Sequence, residues 1–178
     1  MEGLYILKDG EVTPYEFNKE IDTILVGVPG AFTPTCTDYH LPGYAKNLEM
    51  LKGYKVVFFA GNDCSTMDAW NKLYGHPDID AVSDDKAIFS QSIDEAVDFG
   101  PTYSWRTNRC AYLVKNGKIG KKFKNPFIDG VLDELEIVSD PAAQAEYQAW
   151  IVSQNNAIGD AKSQREGTPI KTPDQTAE

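Results

Sequence analysis

Cations are in short supply in this chain. Seventeen Lys and Arg stand against 27 Asp and Glu, a formal net charge of −10 over 178 residues. Phosphate binding needs clustered positive charge, so the balance argues against nucleic acid or an anionic membrane as a main partner. Histidine occurs only at His40 and His76, which leaves no metal constellation. The cysteines are Cys36, Cys64 and Cys110, an odd number with no Cys-x-x-Cys spacing. That count disfavours a disulfide framework and a zinc site and suits a reducing compartment. The apolar stretches are too short for a transmembrane span. The start, Met1 to Lys8, has no basic region leading into an apolar core, so it does not read as a secretory signal. The expected location is cytoplasmic, with an organelle after removal of a transit peptide as the alternative.

What is present is a soluble globular composition, 42% hydrophobic, in a length that suits one domain with a sizeable core. Tyr5-Ile6-Leu7 and Val12 to Phe17 read as short strands around a turn. Thr23 to Val28 and Lys55 to Ala60 are continuous apolar runs, the pattern of strands buried on both faces. Between them, Cys36 to about Gly53 reads as a helix bent at Pro42-Gly43. Met67, Trp70, Asn71 and Tyr74 share a helical face behind an Asn62-Asp63 cap, with Ser65 and Asp68 placed as a capping box. Ile79 to Val82 suits a short strand, and Ala87 to Phe99 reads as helix with Ile88, Ser92 and Ala96 on one side. Asn116-Gly117 between two strand-like runs is a hairpin signal. Residues 125–138 read as irregular and acidic. Asp140-Pro141 opens a last helix carrying Ala145, Trp150 and Ile151. The expected organisation is an α/β domain over 1–154, with a flexible polar tail over 155–178. The two buried strands are expected to be parallel neighbours joined by a right-handed crossover. The order suits a thioredoxin-like fold, a central mixed sheet flanked by helices.

The run Pro29-Gly30-Ala31-Phe32-Thr33-Pro34-Thr35-Cys36 places a cysteine where a buried strand passes into a helix. Free backbone N–H groups and the positive end of the helix dipole gather there, and both favour the nucleophilic thiolate. Thr33 brings a hydroxyl to the same region. It would equally serve as a helix cap.

The segment Gly27 to Cys36, continuing into His40-Leu41-Pro42-Gly43-Tyr44, resembles the active-site segment of peroxiredoxins, most closely the type II, peroxiredoxin-5-like group. The family core Pro-x-x-x-Thr-x-x-Cys is met by Pro29, Thr33 and Cys36. Asn62-Asp63 with Trp70, Arg106-x-x-Arg109 before Cys-Ala-Tyr-Leu-Val-Lys-Asn-Gly117, and Ser139-Asp140 extend the likeness over roughly residues 20–150. The resemblance implies a thiol peroxidase that needs no cofactor and no metal. Cys36 would attack the peroxide and become sulfenic acid, the first rung of the oxidation ladder. Pro29 would shield the site, while Thr33 and Arg109 would hold the thiolate and orient the peroxide. The Thr35 and Cys36 amides would face the peroxide oxygens. His40 and Arg106 would support the site from behind. Homodimers are common in the group, and Phe32, Tyr39 and Tyr44 suit either an interface or core packing.

The resemblance leaves the reductant open. Many type II members carry a second cysteine late in the chain, and this sequence has none after Cys110. Cys64 is a candidate resolving cysteine, because it follows the second parallel strand and shares the sheet edge with Cys36. Cys110 neighbours Arg109 on a strand and so points to the opposite face. The expectation is a one-cysteine cycle completed by an external thiol, glutathione with glutaredoxin, or thioredoxin. The bland alternative makes Cys64 and Cys110 small buried apolar residues, Arg109 a hairpin ion-pair residue and His40 a structural one. A peroxide sensor passing its oxidation to a partner protein uses the same Cys36 chemistry. A thiol–disulfide oxidoreductase falls behind because position 33 is Thr, and nothing points specifically to a holdase.

Overall fold

The computed structural model describes residues 2–102, 104–137 and 149. The expected last helix, Ser139-Asp140 included, the boundary at 154 and the tail 155–178 lie outside the described residues. The chain divides into a unit of residues 1–137 and another of residues 138–178, and the sheet with its helices belongs to the first.

Seven strands form one mixed sheet. At its centre, β3 (Thr23–Gly27) runs parallel to β4 (Lys55–Ala60), and β4 runs parallel to β5 (Ile79–Ser83). Their Val, Ile, Leu and Phe residues are buried on both faces, as the continuous apolar runs require. On one side β1 (Tyr5–Lys8) and β2 (Glu11–Pro14) extend the sheet antiparallel. On the other, β8 (Cys110–Lys115) pairs antiparallel with β3, and β9 (Lys118–Lys122) closes the edge. The order across the sheet is thus β2-β1-β5-β4-β3-β8-β9. The β8–β9 turn places Asn116 and Gly117 at φ 50° and 69°, the left-handed pair that a two-residue hairpin demands.

Side-chain alternation divides the core between the two faces. Phe58 faces the helices that follow Cys36 and meets Tyr44 at 5.2 Å and Trp70 at 6.0 Å between ring centroids. Trp70 belongs to α2 (Cys64–Tyr74), and its indole N–H donates to Thr37 Oγ1 at 3.1 Å, tying α2 to the helix of Cys36. On the opposite face Phe59 packs edge-on against Phe89 of α3 (Ile88–Ser92), within a cluster that includes Leu25, Val57, Val82 and Cys110.

Several local expectations are corrected. The helix after Cys36 is not a single bent rod. A π-helical turn (Cys36–His40) leads into α1 (Leu41–Lys46), and a 3-10 turn (Leu48–Leu51) follows. Leu41 N–H reaches five residues back to the Cys36 carbonyl, next to Pro42, which has no N–H to send to Asp38. Asp63 caps α2 as expected, accepting from Thr66 N at 3.0 Å, but Ser65 and Asp68 form no capping box, and Asp68 pairs with Lys72 at 2.7 Å. Within 87–99 the helical residues are Ala87, which ends a 3-10 turn (Asp85–Ala87), and α3. Asp94 takes φ 57° and ends it, and β6 (Ala96–Asp98) pairs with β7 (Trp105–Thr107) in a separate two-stranded sheet. Residues 125–138 are not irregular throughout: α4 (Ile128–Glu134) buries Ile128, Val131 and Leu132 at helical spacing. The strand expected over 12–17 stops at Pro14.

Gly27, the last residue of β3, is opposed by Cys110. A methyl group at position 27 would stand 2.6 Å from Cys110 Sγ and 2.8 Å from both Phe59 Cζ and Thr107 Cγ2. Gly27→Ala therefore overpacks the centre of the sheet and is expected to cost about 1–3 kcal/mol. Urea unfolding measures it, and an unchanged midpoint would contradict this packing.

Candidate active site around Cys36

The loop leaving β3 is built by short-range hydrogen bonds. Ala31 N donates to Asn62 Oδ1 at 2.9 Å, which ties the loop to the residues that follow β4. Phe32 then adopts φ 60°, a left-handed turn unusual for an aromatic residue. Thr33 Oγ1 donates to the Gly30 carbonyl at 2.7 Å, and the chain is helical from Pro34 onward. Thr37 N returns to the Thr33 carbonyl at 2.9 Å. Cys36 thus lies in the first turn, as expected, and is completely buried.

Arg109 arrives from the neighbouring strand. Because Gly27 opposes Cys110, the residue entering β8 stands beside the chain leaving β3. One terminal guanidinium nitrogen of Arg109 donates to Cys36 Sγ at 3.4 Å, and the other donates to His40 Nδ1 at 2.7 Å. His40 Nε2 donates to the Pro126 carbonyl at 2.8 Å, and that carbonyl also accepts from Tyr44 Oη at 2.8 Å. Phe127 covers the cluster, its centroid 4.4 Å from that of His40 and 5.4 Å from Arg109 Cζ. Burial pulls the His40 pKa down to about 3; the Pro126 carbonyl opposes the shift, and the Arg109 charge adds to it. The imidazole is therefore neutral at pH 7.

Of the residues expected at the site, Arg109 bonds Cys36 directly, and His40 bonds the other arm of the same guanidinium. The Thr33 hydroxyl donates to the Gly30 carbonyl, which leaves its oxygen lone pairs as acceptors. Arg106 stands against the same loop, 3.4 Å from where a Gly30 side chain would begin. Cys64, the first residue of α2, is partly buried and bonded to the Ser83 side chain, and burial raises its thiol. Cys110 lies in the cluster on the far face of the sheet, as expected, although Arg109 stands just before β8 rather than on it; burial with the nearby Glu95 charge pushes the Cys110 thiol up to about 12. Tyr44 is fully buried, so it packs the core; Phe32 is about half exposed. Pro126 and Phe127 carry no signal in the local sequence. Their partner His40 sits 86 positions away from Pro126. Among the described residues no three His, Cys, Asp or Glu side chains are placed to hold a metal ion.

The sequence profile of the Redoxin family matches residues 7–139. Peroxiredoxin AHP1 of Chaetomium thermophilum is 41% identical over 102 residues, 54% of this chain and 56% of that protein. Peroxiredoxin Pen c 3 of Penicillium citrinum is 39% identical over 107 residues, 57% of this chain and 60% of that protein. The chain thus matches less than two thirds of the length of these two relatives. Among solved structures, reduced Prx3 of Vibrio vulnificus in complex with hydrogen peroxide superposes with a TM-score of 0.70 at 26% identity, covering 74% of this chain and 92% of that one. Peroxiredoxin 5 of Alvinella pompejana superposes at 0.63 with 25% identity, covering 77% and 93%.

The depressed His40 pKa has a signed consequence. The unfolded chain takes up a proton near the ordinary value of about 6.5 and the folded chain only near about 3. Between these values the unfolded state binds more protons, so stability is full above about pH 6.5 and falls as the pH drops below it. The expected slope from this group is about 1.4 kcal/mol per pH unit. Urea unfolding from pH 7 to 5 measures it, and His40→Gln is expected to flatten the profile. Equal slopes in the two proteins would refute a buried neutral His40. Native alkylation followed by mass spectrometry is expected to leave Cys110 unmodified at neutral pH, because burial and the Glu95 charge hold it as the unreactive thiol; rapid labelling there would contradict that raised thiol.

Proposed function

Since the chain belongs to the redoxin family and is a peroxiredoxin, we propose that it is of the peroxiredoxin-5-like group and reduces hydrogen peroxide and organic hydroperoxides with Cys36 as the attacking sulfur. The observation that carries this reading is the Arg109 donor 3.4 Å from a buried cysteine at a helix start. The Cys36 thiolate attacks the nearer peroxide oxygen, the S–O bond forms as the O–O bond breaks, and the sulfur leaves as sulfenic acid. The departing oxygen carries the electron pair away as hydroxide or alkoxide and is then protonated. Fixed donors lower that barrier, and here they are the Arg109 guanidinium and the Thr35 and Cys36 amides. Thr33 has committed its own proton to Gly30, so its oxygen is left to accept the peroxide O–H. Pro29 shields the pocket, and Arg106 braces the loop at Gly30. His40 acts only through Arg109.

The sulfenic acid is reduced by an external thiol, glutathione with glutaredoxin, or thioredoxin. A first thiol condenses with it to a mixed disulfide and releases water; a second thiol releases Cys36 as thiol and leaves as a disulfide. The burial of Cys110 on the opposite face and the raised thiol of Cys64 support this cycle over an internal bridge. The chain works as a homodimer in the cytoplasm. Half-exposed Phe32, in edge contact with Tyr74 at 6.1 Å, supports an interface beside the site.

A coupled assay with glutathione/glutaredoxin and with thioredoxin tests the reading. Cys36→Ser is expected to abolish turnover, and Arg109→Lys to lower kcat/KM by about 10²–10³-fold, the usual loss for one positioned donor. Cys64→Ser and Cys110→Ser are expected to keep most activity. Full turnover in Cys36→Ser would end the proposal. Oxidation by one equivalent of peroxide, followed by mass spectrometry, is expected to show Cys36 sulfenic acid; a quantitative Cys36–Cys64 bridge would replace the external-thiol cycle. A single oxidation per chain with no steady turnover would point instead to a peroxide sensor.

A further inference from the structure

The turn over residues 125–127 has no chemistry of its own, yet it ends the chain of hydrogen bonds that reaches Cys36. We propose that this turn is a positioning device: the Pro126 carbonyl fixes His40 as the Nε2–H tautomer, and His40 Nδ1 fixes the roll of the Arg109 guanidinium so that its second nitrogen faces Cys36. A neutral imidazole has one donor and one acceptor. The Pro126 oxygen only accepts and the guanidinium only donates, so a single tautomer satisfies both. The other tautomer would set Nδ1–H against a guanidinium N–H and a bare Nε2 against a carbonyl oxygen. The imidazolium would face the guanidinium cation. Tyr44 Oη holds the same carbonyl from a second direction at 2.8 Å, and the Phe127 ring confines both His40 and Arg109.

The turn is built from its own sequence. Phe127 N donates to Asn125 Oδ1 at 3.0 Å, and Asn125 Nδ2 donates to Asp129 Oδ2 at 3.3 Å, which fixes the turn on the start of α4. Gly130 makes the approach feasible. A Cβ there would stand 2.3 Å from Asn125 Cβ and 2.7 Å from the Asn125 carbonyl oxygen, so any side chain must push Asn125 and Pro126 away. Gly130 is thus a positioning residue at three removes from the sulfur, and Gly130→Ala perturbs the thiol without touching it. That Cys36 is the peroxide-attacking group rests on the function proposed above; the hydrogen-bond chain does not.

The test reads the tautomer first. Long-range ¹⁵N–¹H spectra of a His76→Gln protein at neutral pH are expected to show His40 protonated on Nε2, and an Nδ1–H tautomer overturns the proposal even if no further variant folds. Adding Gly130→Ala is expected to weaken that preference; an unchanged His40 signal overturns the role of the turn. Alkylation of Cys36 by iodoacetamide, quantified by mass spectrometry, supplies the second readout. His40→Phe keeps an aromatic ring and removes both nitrogens, and is expected to slow alkylation about tenfold. His40→Gln, whose amide offers one acceptor and one donor, is expected to recover much of the rate. A His40→Phe protein that melts like wild type and is alkylated within about twofold of its rate overturns the relay. Failure of Cys36→Ser to lose turnover would sink the function and leave these results standing.

Discussion

One guanidinium is shared between two buried partners. Arg109 gives one terminal nitrogen to the Cys36 sulfur and the other to His40 Nδ1. Lysine offers a point charge on a flexible stem and cannot hold two such directions at once; the planar fork of arginine can. The arrangement demands a neutral imidazole, because a second cation beside the first would break it. Burial of His40 to 1% exposure supplies that neutrality. The rings of Phe58, Tyr44 and Phe127 pack around that imidazole and supply the apolar setting that favours its neutral form.

The sheet supplies the rest of the constraint. The parallel strand β3 delivers the cysteine loop at its carboxyl end, and the antiparallel strand β8 begins at that same edge, so Arg109 needs no long reach. Its backbone is fixed from the other face. Glu95, almost fully buried, accepts from Tyr112 Oη at 2.5 Å and Asn108 Nδ2 at 3.0 Å and pairs with Lys122. Asn108 Oδ1 in turn accepts from Arg109 N at 2.9 Å. The hydrogen bonds of Glu95 hold its carboxyl below the ordinary range although burial pushes the other way, so it stays ionised as the anchor of that network.

Much of this was legible in the residues. The apolar runs 23–28 and 55–60 are buried parallel strands because no solvent face interrupts them, and Asn116-Gly117 turns a hairpin because few other residues tolerate two left-handed positions in a row. The Pro29 to Cys36 run announced a thiol at a helix start. Elsewhere local pattern misled. Residues 87–99 carry helical spacing, yet the strand Ala96–Asp98 forms by pairing with Trp105–Thr107, a partner that periodicity within one segment does not show. The 125–138 stretch looked irregular because Asp129, Asp133 and Glu134 mask the Ile128, Val131 and Leu132 stripe, although that stripe was there to be counted.

By itself the sequence determined the chemical parts: one cysteine at a strand-to-helix junction, an arginine opening a hairpin, and a third cysteine turned to the far face by strand alternation. These follow from short-range rules, the two- and 3.6-residue periods and the geometry of a helix start. The tertiary structure alone decided how the parts are aimed. It spent the Thr33 proton on Gly30, split the Arg109 fork between sulfur and imidazole, and brought Pro126 to His40 across 86 residues. Hydrogen-bond partners so far apart in sequence leave no periodic trace, because what selects them is the packing of the finished core.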